Sequence, residues 1–268
     1  MSMRWKKVID HLIATDIGNR DSERLYLLYK SKRPDYFSNA LNILLNSKNI
    51  LIISDFPIPP SMIPETDGPP GALALALALE ALGKRATILT QEIVKEGLKD
   101  FHSRVVTEFP NVSDFSCLVS IETPGRNREG KYLSFSGLEI RVRPYDELFL
   151  KAEKLGIPSI GIGDGGNEIG MGNLEIKDER FSIIRADELI IAGVSNWGAY
   201  GLVAGLSIEA GENLLKDYNE KEVVENLVEV GLIDGITKRR EMSVDGIPLT
   251  LHEKIIELLN EIIILNIP

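Results

Sequence analysis

Residues 161–173 read GIGDGGNEIGMGN, six glycines with Asp164, Asn167 and Glu168 among them. Glycine loses the most backbone freedom on folding, so such density marks unusual dihedrals or a close approach to another group. Three readings compete: a phosphate cradle, a metal loop or a tight turn. Gly161, Gly163 and Gly166 match GxGxxG after an apolar run, as the first turn of a dinucleotide-binding fold would. The context does not match. Asp164 inside the turn would repel a pyrophosphate, and NEIGMGNLEIKDER is no clean helix leading to a second strand. Asp187 precedes a strand candidate where a ribose-binding acid should follow one. The stretch therefore predicts a layered α/β domain that is not a dinucleotide-binding Rossmann domain.

On either side of it, NILIISDF, ATILT, FSCLVSIE, PSIGIGD and DELIIAGVSN read as buried strands. GALALALALEALG has a strand's alternation, but Ala and Leu are strong helix formers. GPPG before it and Gly83 after it favour a helix. PYDELFLKAEKLG reads as a helix with Leu148, Phe149, Ala152 and Leu155 on one face, and WGAYGLVAGLSIEAG as one with a small-residue face. Trp5, Val8, Ile9, Leu12 and Ile13 recur at helical spacing, and EKEVVENLVEVG and LHEKIIELLNEII are amphipathic. Strands alternating with helices imply a mainly parallel or mixed central sheet covered by helices. Residues 1–268 thus read as one α/β domain with an N-terminal helical segment and a helical C-terminal third.

Composition narrows the chemistry. One cysteine, Cys117, in an apolar run excludes a disulfide framework and a thiolate zinc cluster. His11, His102 and His252 fall in no zinc-binding spacing and read as surface or packing residues. A net charge of −10 argues against general attraction to nucleic acid or anionic lipid. No signal peptide or membrane span is visible, so a cytoplasmic location is expected. Abundant Ile, Leu, Lys and Glu lean towards a thermophile.

The acids carry the most information. Strand candidates end at Asp55, Glu122 and Asp164, and another ends at Ser195 and Asn196. In open α/β sheets ligands gather beyond the carboxyl ends of strands. In ETDGPPGA, Glu65 and Asp67 lie two apart, so an extended backbone points both the same way, although Asp67 also suits a helix cap. Asp164 and Glu168 lie four apart, so a helix from Gly165 would put both on one face beside Asn167 and free N–H groups. Glu65, Asp67, Glu122, Asp164 and Glu168 together predict an oxygen-ligand site for Mn²⁺ or Mg²⁺. Crowded carboxyls without metal would have raised pKa values and suit acid/base work instead, with Asp164 and Glu122 as the catalytic pair. TPGRNREGKY, with Arg126, Arg128 and Lys131, reads as an anion clamp or as a solvated loop. Ser195 lacks a nucleophile's surroundings and reads as a binding or capping residue.

ETDGPPGA, GIGDGGNEIGMGN, SNWGAYGL and VDGIPLTLHEKIIELL, supported by IETPGRNREGKY and DIGNR, resemble the D-glutamate cyclase C-terminal domain family over residues 16 to 260. That resemblance implies a link to the dehydrating cyclisation of D-glutamate to 5-oxo-D-proline, in larger proteins with an additional hydro-lyase-like domain for which this chain has no room. Three functions are expected. The leading one is a Mn²⁺- or Mg²⁺-dependent phosphate-ester hydrolase, with Arg126, Gly165, Gly166, Asn167, Ser195 and Asn196 steadying a small anionic metabolite. The others are a cyclase-like hydro-lyase acting on a small amino acid, and a non-catalytic metabolite or metal sensor. The small-residue face of WGAYGLVAGL suits packing inside the chain or in a homo-oligomer.

Overall fold

The computed structural model describes residues 4–267. Its central sheet forms from the apolar runs: β1 (Asn49–Ile53), β2 (Arg85–Leu89), β3 (Val105–Val106), β4 (Cys117–Ile121), β5 (Ser159–Gly163) and β6 (Glu188–Ile191). All pairings are parallel, in the spatial order β3-β2-β1-β4-β5-β6. The chain starts mid-sheet, winds out one way, then returns and winds out the other. This is the order of doubly wound sheets, and its crossover reverses between β1 and β4, where a crevice opens at the carboxyl ends of the strands. The glycine-rich stretch comes after β5, however. Directly after β1 the chain forms a small antiparallel hairpin, Pro57–Ile58 with Ile63–Pro64, in place of a phosphate-binding turn. The topology is shared with dinucleotide-binding domains and the binding turn is not.

Nine helices cover the sheet among the described residues: α1 (Arg4–Ile13), α2 (Ser22–Lys32), α3 (Tyr36–Asn46), α4 (Pro69–Ala81), α5 (Glu92–Leu98), α6 (Asp146–Leu155), α7 (Ser195–Ala210), α8 (Glu220–Val230) and α9 (Leu249–Asn266). Side chains of β1 alternate between two cores: Ile50 and Ile52 join the layer of α1, α3, α4, α7 and α9, while Leu51 and Ile53 join that of α6. The Ala/Leu run is helical as α4 because it packs on α7, on β1, β2 and β4, and on α8. With nearly its whole circumference buried, it needs no polar face.

The small-residue face of α7 is used inside the chain: Gly201 meets Ile9 and Ile13 of α1, and Gly205 meets Leu41 of α3. Two apolar faces are narrower than their spacing predicts, since Val8 of α1 and Leu155 of α6 are exposed. No helix among the described residues is long and apolar enough to cross a membrane.

Candidate active site

The carboxyl ends of β4 and β5 meet the start of α4 in one buried acidic cluster. Asp67, Glu122 and Asp164 each offer an oxygen within 4.8 Å of the others. Glu122, just past β4, has φ +44°. A long side chain in the left-handed region is strained, and such strain persists where surrounding structure imposes it, commonly at functional sites.

Two helix starts lock the cluster together. On its own side Asp67 Oδ1 accepts from the adjoining Gly68 N–H at 2.9 Å and from no N–H within α4. Its Oδ2 accepts from Ser195 N–H at 2.9 Å and its Oδ1 from Asn196 N–H at 2.9 Å, so it caps α7. Asn196 does the reverse: its Oδ1 accepts from Gly68 and Gly71 N–H of α4 at 2.9 and 2.8 Å. Orphan N–H groups at two helix starts are thereby satisfied by exchange. Ser195 Oγ donates to Glu122 Oε2 at 2.5 Å, tying α7 to β4.

The glycine-rich loop departs from the expected geometry. No helix begins at Gly165; the chain makes irregular turns and then a short 3₁₀ segment, Met171–Leu174. Glu168 folds back, accepting from Gly165 and Gly166 N–H at 2.7 and 2.8 Å. Those N–H groups are used within the loop, because buried donors need partners and an acid stands two or three residues away. Asn167 donates to Leu133 O at 2.8 Å.

Arg126 is likewise engaged elsewhere. Its guanidinium binds Asp146 through Nε at 2.7 Å and Nη2 at 3.0 Å, and Glu147 at 2.5 Å. It braces the loop after β4 against α6. Asp55 also stands apart from the cluster, accepting from Tyr145 OH at 2.6 Å.

Two residues not singled out by the spacing of acids complete the site. Arg20, between α1 and α2, contacts Asp164 Oδ1 at 2.5 Å and Asp245 Oδ2 at 2.6 Å. Asp245 sits in a tight hairpin between Ser243–Val244 and Ile247–Pro248 with φ +55°. Buried Asp234 organises the strap that delivers it, accepting from Ile236, Thr237 and Gly246 N–H and from Ser243 Oγ. The signal for both lies in DIGNR and VDGIPL, which are local motifs without a metal or phosphate spacing. Glu65 faces the same space. Gly235 passes so close that a Cβ there would lie 1.8 Å from Glu65 Oε2.

Burial pushes the carboxyls of Glu65, Glu122 and Asp164 well above their ordinary values. Neighbouring acids add to this: Asp245 and Asp67 for Glu65, and Glu168 for Glu122. Asp67 is pushed up to about 8 by burial and by Asp245, against the pull of the Ser195 and Asn196 N–H groups. For Asp164 the Arg20 charge opposes the rise. Burial alone would lower the Arg20 pKa, but the surrounding acids raise it further from neutral pH.

A pocket of about 210 Å³ opens on the cluster, lined in part by Arg20, Glu65, Glu122, Asn167, Lys238 and Asp245. Asp164 lies behind Arg20 and does not line it. A wider depression of about 510 Å³ lies at the opposite, amino-terminal edge of β5 and β6, beside Ser159 and Asp187, away from the acids. The donor set of Asp67, Glu122 and Asp164 is all carboxylate oxygen, and Asp164 Oδ2 has no hydrogen-bond partner, so the cluster could hold a metal ion.

Fold and site together define a doubly wound parallel α/β domain with a carboxylate-lined pocket at its switch point. The chain belongs to the D-glutamate cyclase-like, C-terminal family, whose model matches residues 9–260. It is 34% identical over 244 residues to D-glutamate cyclase, mitochondrial, of Homo sapiens, covering 75% of this chain and 38% of that one. The chain therefore spans well under half the length of this relative. A crystal structure of an exopolyphosphatase-related protein from Bacteroides fragilis is similar at 12% identity and a TM-score of 0.43, covering 85% of this chain and 56% of that one. A likeness that distant carries no argument about chemistry.

Proposed function

We propose that this domain catalyses a dehydrating cyclisation of a small acidic amino acid, with D-glutamate as the substrate the family points to. The observation that supports it is the pocket's lining: Glu65, Glu122 and Asp245 face a largely buried arginine, Arg20, with Lys238 exposed at the pocket as well. Carboxyl oxygens on that wall can accept from an ammonium group, and Arg20 beside them can pair with a carboxylate. The groups first expected to steady a phosphate, Arg126 and the N–H groups of Gly165 and Gly166, are already bound by Asp146, Glu147 and Glu168. The phosphate-ester reading thus loses those expected grips.

In the proposed reaction the substrate's amine attacks its own side-chain carboxyl carbon. A C–N bond forms, a C–O bond breaks, and two protons shed by the ammonium leave with the oxygen as water. No co-reactant is consumed. The chain's task is to take protons from nitrogen and return them to oxygen, which suits carboxyls whose pKa values burial has raised. Glu65 and Glu122 reach the pocket for this, and Asp164 supports them from behind Arg20. Mn²⁺ or Mg²⁺ on Asp67, Glu122 and Asp164, when bound, would polarise the carboxyl under attack.

The test is to incubate the purified chain with D-glutamate, with and without Mn²⁺ or Mg²⁺, and to follow 5-oxo-D-proline by NMR. Conversion that is lost in Glu65→Gln supports the reading. No conversion by folded protein in either condition overturns it, and release of phosphate from phosphomonoesters in a parallel assay would restore the hydrolase.

A further inference from the structure

Of the two cations lining the pocket, Lys238 is exposed and Arg20 has its side chain only 11% exposed. Its guanidinium is held from two sides, by Asp164 through Nη2 and by Asp245 near Nη1. Neither contact exhausts it. Nε and Nη1 are buried without a hydrogen-bond acceptor, the Nη1 contact with Asp245 being an ion pair without hydrogen-bond geometry. Asp245 Oδ2 is likewise buried and without a donor. Above the guanidinium lies the ring of Phe135, 5.4 Å from its carbon, on the loop whose Ser134 and Ser136 also line the pocket.

Buried N–H groups left without acceptors are rare unless a ligand supplies them. A bare cation would satisfy only the acids. An arginine used purely as a counter-ion would turn its fork fully onto its carboxylates, as Arg126 does with Asp146. We infer that Arg20 is the substrate-binding residue of this pocket, its Nε and Nη1 taking a carboxylate of the amino acid while Asp245 Oδ2 accepts from the ammonium. This inference rests on the amino-acid reading above and adds the residue that orients the substrate. It also gives the N-terminal segment a place in the site: the loop between α1 and α2 brings the cation, and the strap before α9 brings its acidic partner. Phe135 lies within cation–π distance of the guanidinium and accepts none of its N–H bonds as a carboxylate would.

Arg20→Lys tests this, because it keeps the positive charge between Asp164 and Asp245 but removes the planar fork. Two measurements separate binding from chemistry: turnover of D-glutamate, and calorimetric binding of D-glutamate and 5-oxo-D-proline. The second ligand has a carboxylate and no ammonium. In Arg20→Lys the expected results are a KM raised roughly 10- to 100-fold with kcat within a few-fold, and a matching loss of affinity for both ligands. Unchanged KM and affinities with a fallen kcat would overturn the assignment.

If wild-type protein binds D-glutamate without converting it, and Arg20→Lys abolishes that binding, the assignment stands while the cyclase reading fails. If wild-type protein binds neither ligand, the assignment is overturned. Should Arg20→Lys not fold, Phe135→Ala carries the test, since Phe135 is 41% exposed. A several-fold weaker affinity for both ligands is expected of it, and unchanged affinity counts against the assignment.

Discussion

Glu122→Gln should make the metal-free protein more stable, and increasingly so as pH rises. The Glu122 carboxyl is buried and surrounded by Glu168, Asp67, Glu65 and Asp245, so the fold holds a proton on it that the unfolded chain releases above 4.5. A group whose folded pKa is raised contributes stability below its unfolded pKa, and this is lost as pH climbs through the folded value. Each pH unit across that window costs up to about 1.4 kcal/mol. From 4.5 to pH 7 the loss reaches roughly 3 kcal/mol as an upper bound. Gln has nearly the same shape, can still accept from Ser195 Oγ, and binds no proton. After allowing roughly 1 kcal/mol for an imperfectly paired amide N–H, the net gain is at most about 2 kcal/mol. In a domain of this size that is a rise of at most roughly 8 °C in Tm. Urea unfolding in EDTA at pH 5, 6, 7 and 8 measures it. The advantage of Glu122→Gln must grow with pH. A difference that is constant with pH, or that shrinks as pH rises, would mean that Glu122 is not strained by charge.

Mn²⁺ should raise the Tm of wild-type protein, since a ligand at 100 times its Kd stabilises by about 2.7 kcal/mol, and Asp164→Asn should abolish the shift in thermal unfolding. Gly235→Ala places a Cβ on the Glu65 carboxylate and should lower turnover at least roughly ten-fold by displacing it, while circular dichroism shows an unchanged fold. Asp67→Asn puts an amide N–H against one set of backbone donors at the exchanged helix caps and should cost roughly 2–4 kcal/mol in urea unfolding. Arg126→Ala should cost roughly 1–3 kcal/mol by leaving buried Asp146 without its partner, with no change in KM.

Much of the site could be read from one-dimensional pattern, because a strand must end in a turn and the polar residue there stands at the sheet's edge. Asp164 and Glu122 come directly after β5 and β4, and Ser195 and Asn196 open α7 shortly after β6. The glycine-rich loop was legible as an irregular element but not in its wiring. That Glu168 would turn back on Gly165 and Gly166 depends on loop dihedrals that spacing does not specify. An arginine beside an acidic strand end reads as a clamp, and only the fold shows that Asp146, twenty residues on, pairs with Arg126.

Hydrophobic period and turn chemistry are local properties, and they were enough to mark an α/β domain with acids concentrated at strand ends; the family came from the resemblance of its motifs. Which of those charges meet was left to the packing of the folded chain. Arg20 and Asp245 stand at opposite ends of the chain and reach each other only because α1 and α9 pack together against α7. Contact between residues so far apart is set by the docking of whole helices, and that is why the cation paired with Asp164 and Asp245 could not be found among their neighbours in the sequence.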